Sequence, residues 1–100
     1  MEMSKTFKVA GADGPIEAEQ LGTFAYYIQN IQFRFVITKL PGMPTADVTH
    51  RVSGKRLCAI PFTALQAAVG DYVVAGKGEL RNLIDRVGEA RVRSVLAAAE

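Results

Sequence analysis

Hydrophobic and polar positions alternate most cleanly between Ile31 and Leu40. Ile31, Phe33, Phe35 and Ile37 fall on one side of an extended chain, and Gln32, Arg34, Val36 and Thr38 on the other. This spacing predicts a strand over 31–40, ended by Pro41-Gly42-Met43-Pro44. A shorter alternation, with Phe7 and Val9 on one side, predicts a strand over 6–10, followed by a turn at Gly11-Ala12-Asp13-Gly14-Pro15. Two further runs, 47–52 and 55–60, read as a hairpin about Ser53-Gly54, with Pro61 stopping the second.

Elsewhere the period changes. Leu21, Phe24, Ala25 and Ile28 stand at i, i+3, i+4 and i+7, a helical stripe, although Phe24, Tyr26 and Ile28 also alternate as a strand would. The helix-favouring lead-in Ile16–Gln20, with Asp13 as a cap and Pro15 in a first turn, tips the prediction to a helix over 15–29, broken at Asn30. Thr63 and Gln66 have capping-box spacing and predict a short helix over 63–69 that ends at Gly70. Residues 71–77 fit helix or extended chain equally, and 78–99 reads as helix. At about 100° per residue, Leu80, Leu83, Ile84 and Val87 point one way, and Val92, Val95, Leu96 and Ala99 roughly 120° away. Gly88 lies between them, so a bend or break is expected there, with the two halves packing on different neighbours. A partner chain is one such neighbour. The expected order is β-α-β-β-β-α-α. It describes a single α+β domain over 1–100, with an antiparallel sheet of three or four strands covered by helices on one face.

Composition narrows the function classes. A chain of 100 residues, 49% apolar and 22% charged, fits one globular domain and not a disordered segment. No apolar run approaches the roughly 20 residues that span a bilayer. Met1-Glu2-Met3-Ser4-Lys5 lacks the apolar stretch of a signal peptide. Cys58 is the single cysteine and excludes an internal disulfide, so a cytoplasmic setting is expected. One histidine and one cysteine do not build a zinc site, and no metal or cofactor is expected. Arginine outnumbers lysine seven to five and alanine is the commonest residue, a pattern of bacterial or phage genomes. The net charge is only +2, but residues 31–60 hold Arg34, Lys39, Arg51, Lys55 and Arg56 against Asp47 alone.

That basic third carries the candidate chemistry. With a two-residue loop at Ser53-Gly54, Arg51 faces Arg56, His50 faces Leu57, Thr49 faces Cys58 and Val48 faces Ala59. Val48, His50, Val52, Leu57 and Ala59 then face the helices. Thr49, Arg51, Arg56 and Cys58 join Gln32, Arg34, Val36 and Thr38 on an open face. Like charges directly opposite one another are unfavourable and call for compensation by an acidic side chain from elsewhere, a partner protein or an anion, and the planar guanidinium fork suits phosphate. Arg34, Arg51, Lys55 and Arg56 are therefore the candidate contacts to a duplex nucleic-acid backbone. The plainer reading is solvated arginines screened by salt. The aromatics fall on the core side, which argues against stacking on bases.

Other constellations read as structural. His50 and Cys58 fall on opposite faces, so they do not form a nucleophile–base pair, and Cys58 reads as a small apolar filler. Asp85 and Glu89 lie at i, i+4 among Arg81, Arg86, Arg91 and Arg93, a solvated helix surface. Gly76-Lys77-Gly78 lacks the spacing of a phosphate loop and reads as a helix-initiating turn. Residues 83–96 resemble the second half of a helix-hairpin-helix DNA motif, except that Arg86 stands where the first hairpin glycine belongs. A bent helix with Gly88 at the joint accounts for the same residues. The sequence thus points to a non-catalytic binding or assembly module, acting through protein contacts and self-association, with a homodimer favoured. The alternative is a duplex nucleic-acid accessory protein using Arg34, Arg51, Lys55 and Arg56.

Overall fold

The computed structural model describes residues 5–100; the reading of residues 1–4 as no signal peptide lies outside the described residues. Five strands, β1 (Thr6–Gly11), β2 (Gly14–Ile28), β3 (Ile31–Lys39), β4 (Ala46–His50) and β5 (Arg56–Ile60), come first. Three helices, α1 (Phe62–Ala67), α2 (Tyr72–Val87) and α3 (Glu89–Ala98), follow. The strands form one antiparallel sheet in the order β1-β2-β3-β4-β5. The chain is α+β with an antiparallel sheet, as its patterning implies. The strand count is five rather than three or four, and every helix follows the last strand. No helix among the described residues is long and apolar enough to cross a membrane.

The extra strand is β2, which replaces the helix expected over 15–29. Phe24, Tyr26 and Ile28 stand opposite Phe35, Phe33 and Ile31. The register shifts between Gln20 and Gly22, leaving Leu21 as an extra residue. Such a bulge reverses the phase of the alternation, and the reversal is what made Leu21, Phe24, Ala25 and Ile28 imitate a helical stripe. Gln29 and Asn30 have φ of 49° and 67°, the positive values that both central residues of a type I′ hairpin turn need. The turn folds β2 back on β3, and this pairing overrides the local helix preference of Ile16–Gln20.

One face of the sheet meets the helices. Phe24, Ile28, Phe33, Phe35, Ile37, Ala46, Val48 and Ile60 are buried there with Ala75, Leu80, Ile84, Val92 and Leu96. Each large apolar side chain so buried stabilises by roughly 1.5–3 kcal/mol. The Phe24 and Phe35 rings stack with centroids 5.3 Å apart. Gly76 lets α2 lie close on the sheet, because a Cβ there would stand 3.1 Å from Ile37 Cδ1 and 3.4 Å from Phe24 Cε1.

Helix starts also differ from expectation. Asp71 Oδ1 accepts from the N–H groups of Val73 and Val74 at 3.0 and 3.1 Å and caps α2. Residues 72–77 are therefore helical, and Gly76-Lys77-Gly78 lies inside the helix rather than starting it. In α1 the Pro61 carbonyl already accepts from Leu65 N–H, which places Thr63 within the first turn, and the Thr63–Gln66 capping box is not made. Gly88, with φ 106°, stands between α2 and α3.

The opposite face was expected to be open and is so only in part: Gln32, Arg34, Arg51 and Arg56 are exposed, but the rest is closed. Val9, Ala18, Val36, Thr38 and Thr49 are each no more than 1% exposed. In a flat sheet β1 would stand roughly 14 Å from β4, three strand spacings away. Instead Ala10 N–H donates to Gly54 O, beyond the end of β4, at 2.8 Å. The sheet curls so far that its first strand reaches the β4–β5 turn and encloses a second, smaller core. Gly54 makes the contact possible: its φ is +74°, and a Cβ would meet Ala10 N at 3.1 Å and Lys8 O at 3.2 Å. Inside this curl the Thr38 and Thr49 hydroxyls bond to each other at 2.8 Å, satisfying two buried polar groups.

Candidate functional site

The β4–β5 hairpin decides where the basic residues go. His50 N–H donates to Lys55 O and Gly54 N–H donates to His50 O, both at 2.8 Å. The loop therefore spans four residues, 51–54, and not two. Thr49 faces Arg56, and a register shift next to it leaves Leu57 extra, so that Val48 faces Cys58. Three expectations fall with the two-residue loop. Arg51 does not face Arg56. Cys58 lies on the helix side with His50 rather than across the sheet from it. Ala59 and Val52 are exposed instead of packed on helices.

The four candidate cations divide into two pairs. Arg56 reaches Asp47, with Nη1 to Oδ2 at 3.7 Å. Burial holds the Asp47 carboxyl above its ordinary range, and the nearby charge of Arg56 partly opposes this. Lys55 and Arg56 line a groove with Ala10, Asp47, Cys58 and Ala59. Arg51 stands instead against Arg34, its N–H donating to Arg34 O at 3.0 Å. An opposed arginine pair does exist, but its members are Arg34 and Arg51. Among the described residues neither guanidinium lies within 4.0 Å of a carboxylate oxygen. Both line a cavity of about 380 Å³ with Gln32, Val52 and Glu100.

Beside this pair lies a polar network that the sequence did not reveal. His50 is fully buried, its ring 6.3 and 6.1 Å from those of Phe33 and Phe35. Nδ1 lies 2.7 Å from Ser53 Oγ, and Nε2 lies 2.9 Å from Glu100 Oε2. Ser53 Oγ also accepts from Lys55 N–H at 3.3 Å. A carboxylate on Nε2 asks for a proton there, so the network assigns Nε2–H as donor and leaves Nδ1 to accept from the Ser53 hydroxyl. Serine, imidazole and carboxylate in a row also describe a proton relay. Here, however, the adjoining cavity is lined by Glu100 and not by Ser53, and the hydroxyl is already engaged twice. The arrangement ties the hairpin loop to the segment after α3. Ser53 carried a faint signal, a hydroxyl three residues past a histidine at a turn. Glu100, fifty residues from His50, carried none.

The extra residue Leu57 opens a third feature. It turns toward the helices and lines an apolar groove of about 150 Å³ with Leu83, Val87, Val92, Val95 and Leu96, and Arg91 at the rim. Val87 and Val95 are 41% and 59% exposed, although their neighbours Val92 and Leu96 are buried. Next to it the Cys58 thiol is pushed up to about 11, first by burial and then by the charges of Glu79 and Asp47. Such a thiol carries little thiolate at neutral pH, consistent with a packing role. Asp85 and Glu89 are both exposed, as a solvated helix surface requires. Compared with known proteins, the chain matches no family model, no curated protein and no solved structure.

Proposed function

We propose that this chain is a non-catalytic binding and assembly module that self-associates through the groove between β5, α2 and α3. One observation carries the reading: two valines, Val87 and Val95, stand exposed on either side of an apolar groove whose floor is Leu57, Leu83, Val92 and Leu96. Exposed apolar surface in a groove with little polar lining marks an interaction surface more than a small-molecule site. A two-fold partner places the same groove against itself, so each valine covers its counterpart's pocket. Light scattering across a concentration series tests this, with the Val87→Glu/Val95→Glu variant as control. Self-association in the micromolar range that the variant abolishes is the expected result.

A second reading, a duplex nucleic-acid accessory protein, draws support from a separate observation. Arg51, the first residue of the β4–β5 loop, stands against Arg34 of β3, and neither has a carboxylate within ion-pair distance among the described residues. Backbone phosphate would relieve that repulsion. Arg56, already beside Asp47, is the weaker contributor on this reading.

A further inference from the structure

We infer that the cavity between Arg34, Arg51 and Glu100 takes a phosphate group, which displaces Glu100 from His50 Nε2. The proposal goes beyond the groove reading and does not depend on it. Three observations meet at one place. The first is a fully buried imidazole whose Nε2–H is delivered outward to a single acceptor, Glu100 Oε2, at 2.9 Å. Its direction is fixed from behind, because Ser53 Oγ holds Nδ1 at 2.7 Å and is itself held by Lys55 N–H. The second is a pair of arginines, Arg34 and Arg51, joined through the backbone and lining the same cavity as Glu100. The third is the setting of that carboxylate. Glu100 lies beyond α3, which ends at Ala98 with Ala99 as its cap. Its side chain is 36% exposed, and among the described residues its backbone N–H donates to Ala97 O at 3.2 Å.

A rigid donor, two cations and a loosely held carboxylate describe a site already occupied by its own competitor. A free or terminal phosphate presents at least three acceptor oxygens, enough for Nε2–H and both arginine forks at once, whereas a carboxylate or a backbone phosphodiester offers two. The cavity of about 380 Å³ gives it room. Gln32 on the cavity wall adds a neutral donor. Entry of phosphate expels Glu100 and frees the end of α3, which also contributes Val95 to the apolar groove.

Inorganic phosphate is the probe, titrated into the whole chain at constant ionic strength and followed by the ring ¹⁵N shifts of His50 and the amide shift of Arg51. Glu100→Ala, at a position exposed and outside every helix, is expected to fold and to bind phosphate about tenfold more tightly than the parent, since the internal competitor is gone. Adding Arg51→Ala to that variant is expected to remove the gain. A short duplex as a second arm separates the sources: a still lower Kd identifies backbone phosphate as the ligand, and an equal or higher one identifies free phosphate. Glu100→Ala that binds no tighter than the parent overturns the proposal, as does a gain that survives Arg51→Ala.

Discussion

Val69 shows a residue held against its own preference. It sits between α1 and α2 with φ 53°, in the left-handed region that a β-branched side chain rarely enters, and is 93% exposed. The strain has no packing contact to offset it. Val69→Gly is expected to stabilise the fold by about 1 kcal/mol, raising the melting temperature by roughly 4–5 °C in a chain of this size. An unchanged or lower melting temperature contradicts that. Cys58 is the converse case, a residue whose surroundings suppress its chemistry. Its pKa of about 11, against an ordinary 9.0, favours the neutral thiol in the folded chain. Its contribution to stability is therefore complete below about pH 9 and is lost as pH rises through 11. At pH 8 its reaction with a disulfide reagent is expected to be about a hundredfold slower than that of the unfolded chain, following the thiolate fraction. A rate profile for the native protein that inflects near pH 9 rather than 11 contradicts this account.

At the scale of elements, one device recurs: an extra residue in a strand. β3 was legible because its alternation runs unbroken from Ile31 to Lys39, with its odd face turned to the helices and its even face exposed at Gln32 and Arg34 before the curl buries Val36 and Thr38. β2 was not, because Leu21 at its bulge reverses the phase and lets a strand pass for a helix. The β4–β5 hairpin was half legible. Its existence follows from two runs and a turn, but Ser53-Gly54 suggested a two-residue loop where the hydrogen bonds of His50 close a four-residue one. The candidate site inherits that error. Arg34, Arg51, Lys55 and Arg56 are all named by charge alone, yet which arginines oppose each other depends on register, and the four-residue loop keeps Arg51 from Arg56 while the β3–β4 pairing brings it to Arg34. The corrected pairing makes a differential prediction. If duplex nucleic acid binds, Arg34→Ala/Arg51→Ala lowers its affinity more than Lys55→Ala/Arg56→Ala does, because Arg56 is already drawn to Asp47. Anisotropy at about 50 and 200 mM salt measures both the loss and its counterion slope. Equal losses from the two double variants contradict the division into pairs.

For the molecule as a whole, the arrangement is a curled sheet with two cores, one under β1 and one under the helices. The curl is non-local: it joins Ala10 to Gly54 and was invisible to any reading of neighbouring residues. So was the tie between His50 and Glu100. The helices spend Leu80, Ile84, Val92 and Leu96 on the sheet and leave Phe62, Val74, Val87 and Val95 exposed, of which Val87 and Val95 line the apolar groove. On the proposed reading, the two valines beside the groove are what an assembling module would cover, since the buried set closes the core without them. Stable interfaces cover about 800 Å² per partner, so the groove must be the centre of a wider contact, and charge at its centre is far more disruptive than charge at its rim. The most direct test is sedimentation equilibrium of the parent chain and of Val87→Glu/Val95→Glu, each checked for unchanged far-ultraviolet circular dichroism. The account predicts a dimer of the parent in the micromolar range and a folded monomer of the variant. A parent that stays strictly monomeric at high micromolar concentration, or a variant that associates as the parent does, contradicts it.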